Sequence, residues 1–496
     1  MPTVGQQSPN GRPAGDREGD RPRPSGPGPR VAVLSPPFYS HARPLSVLGR
    51  ELCRAGADVL FASGAEFASL AKESGLAFRV FESTSNRNTG VAGRTRQGAD
   101  DRDRLRAFLD ATRQGAVPTL LLQSRHRRAD MLNRPLEVLE AVRELHREVR
   151  PDWYLVDQLS YPVTLALHCL GLPFATYCPG HPGYIPADGQ LFGVPGRWPG
   201  ALRPDAAELA GLRETAAATE ERFTAAFNEV VAASGTGAEP VGRAFALASG
   251  RARLFTYPRP SGAPAAGSGA AADRDLYQGH CTVPERLSPD WRARLAGLGG
   301  PPRVLVALGT FLSARDDVLR TVVTGVRAAA PAAAIVVAAG ENAGRLADLV
   351  DERTVVEPFV PQRALLPSMD LMVHHGGNNS FTECLRAGVP ALVLPFSSDQ
   401  FAIAADAESL GVGRCADPNR ATPRDISDHA KALLGSGGRA AAAWSRRVRR
   451  RGPSWGARRL LQLMSVEATA PPGAPEPSKA PSRAAGHPDE GLEPAR

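Results

Sequence analysis

The segment His374-His375-Gly376-Gly377-Asn378-Asn379-Ser380-Phe381-Thr382-Glu383 gathers more chemically capable side chains than any other in the chain. If it opens a helix, its unpaired backbone N–H groups and partial positive charge suit a phosphate. Gly376 and Gly377 would let the backbone approach that ligand closely. His375 stands beside them, and Asn379 and Ser380 add neutral donors in the first turn. Glu383 lies one turn further and could accept two vicinal hydroxyls, as a ribose offers. A glycine-rich corner capped by Asn or Ser also occurs without a ligand, so the surroundings carry weight. Leu308-Gly309-Thr310, Pro361-Gln362 and Pro395-Phe-Ser-Ser-Asp399-Gln400 each follow an apolar run or precede the next element, and so converge on one rim.

A second constellation lies far upstream. His41 sits in Ser40-His41-Ala42-Arg43-Pro44, read as a loop after an apolar run, and Asp157 ends the run Trp153-Tyr-Leu-Val156. An imidazole titrates near neutrality and can take a proton from an alcohol. A carboxylate beside it fixes the tautomer and stabilises the imidazolium. The plain alternatives are a solvated histidine and an aspartate capping the next helix. Asp130 and the cluster Asp100, Asp101, Asp103 are further, weaker carboxylate candidates.

The elements that must position these groups are legible as short apolar runs separated by helix-length segments. Val31–Leu34, Val59–Ala62, Trp153–Val156 and Phe174–Tyr177 read as strands, with a helix near Arg43 to Ala55. The pattern stops at Pro258–Asp275, rich in Pro, Gly, Ala and Ser, and restarts with Val304–Leu308, Ile335–Ala338, Thr354–Val356, Leu371–Val373 and Ala391–Leu394. Continuous apolar strands between helices predict parallel sheets covered on both faces. The chain has 496 residues, which suits two domains plus tails. The predicted division is a tail over 1–29, a first domain over 30–257, a linker over 258–300, a second domain over 301–465 and a tail over 466–496. The fold class is α/β, two facing doubly wound sheets, with ligands at the carboxyl ends of the strands.

The stretch from Phe359 to Gly413 resembles the signature of nucleotide-sugar-dependent glycosyltransferases of the GT-B fold, which include bacterial macrolide and antibiotic enzymes and the plant and animal UDP-glycosyltransferases. The resemblance implies that Phe359 stacks on the base and Gln362 lies near base and ribose. It implies that His375, Gly377, Asn379, Ser380 and Thr310 surround the diphosphate, that Glu383 holds the ribose, and that Asp399 and Gln400 hold sugar hydroxyls. Phe359 and Asn378 stand where plant members carry Trp, a departure that weakens any inference of a plant-type donor. Ser40-His41-Ala-Arg-Pro44 is similar to the family's Gly-His-x-x-Pro loop, whose His is the general base, with Ser40 in place of Gly. Asp157-Gln-Leu-Ser-Tyr-Pro162 resembles the strand end that carries its partner acid.

The expectation is an inverting transferase that moves a sugar from a UDP- or TDP-sugar to a hydroxyl of a small hydrophobic acceptor, with no metal and no further cofactor. Acceptor contacts are expected from Glu82–Asp103 and from Pro179–Trp198, whose Tyr184, Ile185, Leu191, Phe192, Val194 and Trp198 suit an apolar aglycone. An epimerase of the same fold would need groups acting on a retained sugar, and a non-catalytic binding protein would lose the base; His41 and Asp157 speak against both. No Cys pair or His cluster has zinc spacing, and six scattered cysteines fit a reducing, cytoplasmic setting. The first thirty residues lack an apolar core segment, and no apolar run reaches the ~18 residues of a membrane span. The net charge is +8, and Arg439–Arg459 carries eight arginines and no acid. Without interleaved stacking aromatics that run reads as a solvated helix face, so no nucleic-acid partner is expected.

Overall fold

The structure, a computed structural model, describes residues 28–84, 99–260 and 273–468, less the side chains of 99–102, 310–311, 436–437 and 466–468. Most of both predicted tails, most of the first acceptor loop and most of Pro258–Asp275 therefore lie outside the described residues.

The first domain is a seven-stranded parallel sheet in the order β3-β2-β1-β4-β5-β6-β7. Its strands are β1 (Arg30–Leu34), β2 (Asp58–Ser63), β3 (Ala77–Val80), β4 (Trp153–Asp157), β5 (Phe174–Cys178), β6 (Arg253–Phe255) and β7 (Asp275–Tyr277). The second is a six-stranded parallel sheet in the order β10-β9-β8-β11-β12-β13. It is formed by β8 (Arg303–Ala307), β9 (Ala334–Ala338), β10 (Thr354–Glu357), β11 (Leu371–His374), β12 (Ala391–Val393) and β13 (Gly413–Cys415).

Both faces of each sheet are covered, which is why the strands read as unbroken apolar runs. Val31 and Val33 enter one core cluster, and Ala32 and Leu34 the cluster on the opposite face. In the second domain Leu305 and Ala307 face one way, Val304 and Val306 the other.

The order places a reversal point between β1 and β4 in one domain and between β8 and β11 in the other. There the helices leave in opposite directions and a crevice opens at the carboxyl ends. Leu34 pairs with Val156, and Ala307 with His374, so the segments after these strands emerge side by side.

Two predicted boundaries differ. The expected linker over 258–300 holds β7 and the helix Pro289–Gly297. The last helix, Pro453–Ala468, does not stay with the second domain. Its Ala457, Leu460 and Met464 share one core with Leu45, Leu48 and Leu52 of the first. An apolar stripe at helical spacing must be covered, and the first domain supplies the cover. The arginine run spans this crossing. Arg449 and Arg451 donate to the carbonyls of Arg386 and Tyr277, each at 2.8 Å, and Arg447 lies over Trp444. No helix of the described residues is long and apolar enough to cross a membrane.

Candidate active site

His41 lies in the first turn of the helix Tyr39–Arg54 and not in a loop, because Phe38 already starts the helix one residue after Pro37. Pro44 sits inside that helix and has no N–H, so the Ser40 carbonyl loses its helical donor. That carbonyl accepts instead from Nδ2 of Asn379 in the other domain at 2.9 Å. The sequence feature that breaks the helix ladder thus provides a bond across the cleft.

Nδ1 of His41 lies 2.9 Å from Oδ2 of Asp157 at the end of β4. Asp157 is fully buried, and its Oδ1 accepts from the Leu159 N–H at 2.9 Å. The cap position of the following helix belongs to Ser160, so Asp157 is not a helix cap. With Nδ1–H donating to the carboxylate, Nε2 carries a lone pair. The other acids lie apart: Asp130 pairs with Arg104 at 3.1 Å and Asp103 with Arg106 at 3.9 Å, both exposed, while the side chains of Asp100 and Asp101 lie outside the described residues.

Opposite stands the helix Asn378–Ala387, which begins directly after the turn His375-Gly376-Gly377 and ends at Gly388. Gly376 has φ +88°, and a Cβ there would lie 3.0 Å from the Gln400 carbonyl oxygen. The turn is also held from inside. Nδ1 of the fully buried His374 accepts from the Gly376 N–H at 2.9 Å. Burial pulls His374 down to about 3 and His375 to about 4, the latter despite a backbone hydrogen bond to Ala307, so both are neutral at pH 7. Nδ1 of His375 is buried without a partner.

His41, His375, Gly377, Asn379, Ser380, Asp399 and Gln400 line one cavity of about 450 Å³ between the domains. That volume suits a small-molecule site. Gln362 and Glu383 sit beside it. Nε2 of Gln362 donates to Glu383 at 2.7 Å and to Ser380 at 3.2 Å, joining them to the cleft. Glu383 is 7% exposed, and burial raises its carboxyl above the usual range. Phe359 is 68% exposed and does not line that cavity. Thr310 belongs to the short helix Gly309–Leu312, and its side chain lies outside the described residues.

Two predicted sugar contacts are otherwise engaged. Asp399 accepts from the His181 N–H at 2.8 Å and the Tyr184 hydroxyl at 3.1 Å, both across the cleft. Gln400 turns its amide oxygen onto the N–H groups of Phe396 and Ser397.

Of the apolar residues expected to meet an acceptor, only Tyr184 lines the cavity. Phe192 is buried in the first domain, and Trp198 packs on Phe401 with centroids 5.1 Å apart. The loop therefore spends part of its apolar surface in the first domain's core and part on the contact with the second. Sequence reasoning passed over Gln123, which lines the cavity and donates to the Ser398 hydroxyl at 2.9 Å. Only the fold could show it, since a polar residue on a helix carries no signal. Among the described residues no group of three or more His, Cys, Asp or Glu could hold a metal ion.

This architecture has known counterparts. It covers 90% of this chain and all of the crystal structure of a glycotransferase of kitacinnamycin at TM-score 0.62 and 23% identity. A likeness to the glycosyltransferase VinC, solved in complex with DTDP, has TM-score 0.58 and 20% identity, over 88% of this chain and all of that one. The fold is thus GT-B. Residues 326–452 match the family described as Erythromycin biosynthesis protein CIII-like, C-terminal domain. The chain is 31% identical to demethyllactenocin mycarosyltransferase of Streptomyces fradiae over 43% of its own length and 44% of that protein, less than half of the relative. It is 22% identical to NDP-glycosyltransferase YjiC of Bacillus subtilis over 77% of its length and 83% of that protein. Residues 326–452 thus resemble the CIII-like C-terminal domain, and the chain is similar to GT-B glycosyltransferases of the macrolide and antibiotic type.

Proposed function

We propose that this protein transfers a sugar, with inversion, from a UDP- or TDP-sugar to a hydroxyl of a small hydrophobic natural product. The observation that carries the reading is the His41–Asp157 pair, 2.9 Å apart and facing the Asn378 helix across one cleft.

The roles follow from the chemistry. An alcohol is a poor nucleophile at neutral pH, so a positioned base must take its proton as the oxygen attacks the anomeric carbon. Nε2 of His41 is that base. The imidazolium that forms is stabilised by Asp157, which has no solvent to dilute its charge. The C–O bond to the diphosphate breaks as the new one forms, and negative charge grows on the leaving oxygen. The N-terminus of the Asn378 helix, the open Gly376-Gly377 backbone and the uncommitted Nδ1 of His375 receive that charge. A diphosphate there favours protonation of His375, opposing the effect of burial. Gln362 and Glu383 hold the ribose, Phe359 covers the base, and Asp399 and Gln400 hold the sugar. Asp399 meets the donor by exchanging its bonds to His181 and Tyr184 for sugar hydroxyls. These parts require no metal, and a cytoplasmic setting suits the six free cysteines.

A hydrolysis screen over UDP- and TDP-sugars tests this, since it reads donor use without a known acceptor. Release of UDP or TDP from one sugar supports the reading. No release and no nucleotide binding would sink it.

A further inference from the structure

The first domain holds a cation that the reaction described so far does not use. Arg127 lies on the helix Ala116–Met131, one turn beyond Gln123, on the face that Gln123 turns to the cleft. It is 8% exposed, and its Nε is buried without a partner. Among the described residues its guanidinium makes no hydrogen bond and no ion pair. Asp130, the acid nearest on the same helix, is engaged by Arg104.

Its surroundings are aromatic. The Phe192 ring centroid lies 4.7 Å from Cζ. Tyr161 and Tyr184 flank Phe192, with ring centroids 6.2 and 6.0 Å away. The Tyr161 hydroxyl is fully buried, with the Gln158 side chain as its neighbour, and the adjacent Ser160 hydroxyl is buried without a partner. Gly193, at φ +81°, makes room for the guanidinium: a Cβ there would lie 3.1 Å from Nη2.

A buried unpaired charge costs several kcal/mol. A ring face returns only about 2 kcal/mol of that. Packing alone would be served better by Met or Leu. Burial duly lowers the Arg127 guanidinium below its usual range. Among the described residues no carboxylate pairs with that guanidinium.

We propose that Arg127 receives a carboxylate of the acceptor, so that the substrate class is a hydroxylated hydrophobic acid. This rests on reading the cleft as a transferase acceptor site. The carboxylate anchors one end of the molecule beside Tyr184, and the hydroxyl to be glycosylated is presented to His41.

The test compares 6-hydroxy-2-naphthoic acid with its methyl ester, by calorimetry on the full chain with UDP or TDP present. A charge-assisted hydrogen bond is worth enough for the acid to bind about tenfold or more tightly than the ester. Arg127→Met should abolish that preference while ester and nucleotide binding stay unchanged. Arg127→Lys should keep part of it, and this variant decides the matter if the Met variant does not fold. Equal binding of acid and ester by the parent, or an intact preference in Arg127→Met, overturns the proposal. Nucleotide binding without acid preference leaves the transferase reading standing, and failure of the parent to bind either nucleotide removes both.

Discussion

Oδ2 of Asp157 and Nδ1 of His41 lie 2.9 Å apart although 116 residues separate them, and the carboxylate is wholly buried while the imidazole stays partly open to the cleft. One partner is thus sheltered and the other accessible, as a base and its orienting acid require.

His41→Ala should cut single-turnover transfer by about 100-fold or more, with donor affinity nearly intact because the proposed donor site lies in the other domain. Asp157→Asn should also slow transfer, and the two losses should not add, because the pair acts as one unit. Full activity in His41→Ala would show that the pair is structural.

Glu383→Ala should weaken nucleotide-sugar binding by roughly 1.5 to 3 kcal/mol, since it removes a charged acceptor from two hydroxyls. Gln362→Ala should also weaken it, because Gln362 orients Glu383 through its 2.7 Å bond. Calorimetry with equal nucleotide affinity for the Glu383 variant and the parent would move the ribose contact elsewhere.

Gly376→Ala should lower stability by about 1 to 2 kcal/mol, the usual cost of a side chain in the left-handed region. It should also depress nucleotide binding, because the added Cβ presses on the Gln400 carbonyl. Denaturant melts and nucleotide titrations on the same samples check both; an unchanged melt would mean that the turn relaxes freely.

Acid should destabilise the fold through three buried histidines. Burial lowers His280 and His374 to about 3 and His375 to about 4, from an ordinary 6.5. The unfolded chain takes up protons first as pH falls, so this stability is complete above pH 6.5 and lost below it. From pH 6.5 to 5 each group forfeits up to about 2 kcal/mol. Glu383 and Asp399, raised by burial, act in the opposite sense because they protonate earlier in the folded state. Urea melts at pH 7 and pH 5 should show a net loss, smaller in His280→Leu. A pH-independent melt would contradict the burial of these rings.

The apolar runs at β1, β4, β8, β11 and β12, and the glycine-rich corner after β11, were legible from the sequence because local composition dictates them. Buried parallel strands are continuously apolar, and a phosphate-type turn needs glycine. β3, β6, β7 and β13 were not: Arg253-Leu-Phe255 and Gly413-Arg-Cys415 are too short and too polar to register, and exist because a neighbouring strand pairs with them. His41 was visible as a residue but not as part of a helix, since Pro44 reads as a breaker until Asn379 satisfies the freed Ser40 carbonyl. Tertiary structure alone decided that the last helix crosses to the first domain, that Asp399 is held by His181 and Tyr184, that Trp198 serves domain packing, and that Arg127 is buried without a carboxylate partner among the described residues. Each depends on contacts between residues scores to hundreds of positions apart, where sequence pattern carries residue type but not proximity.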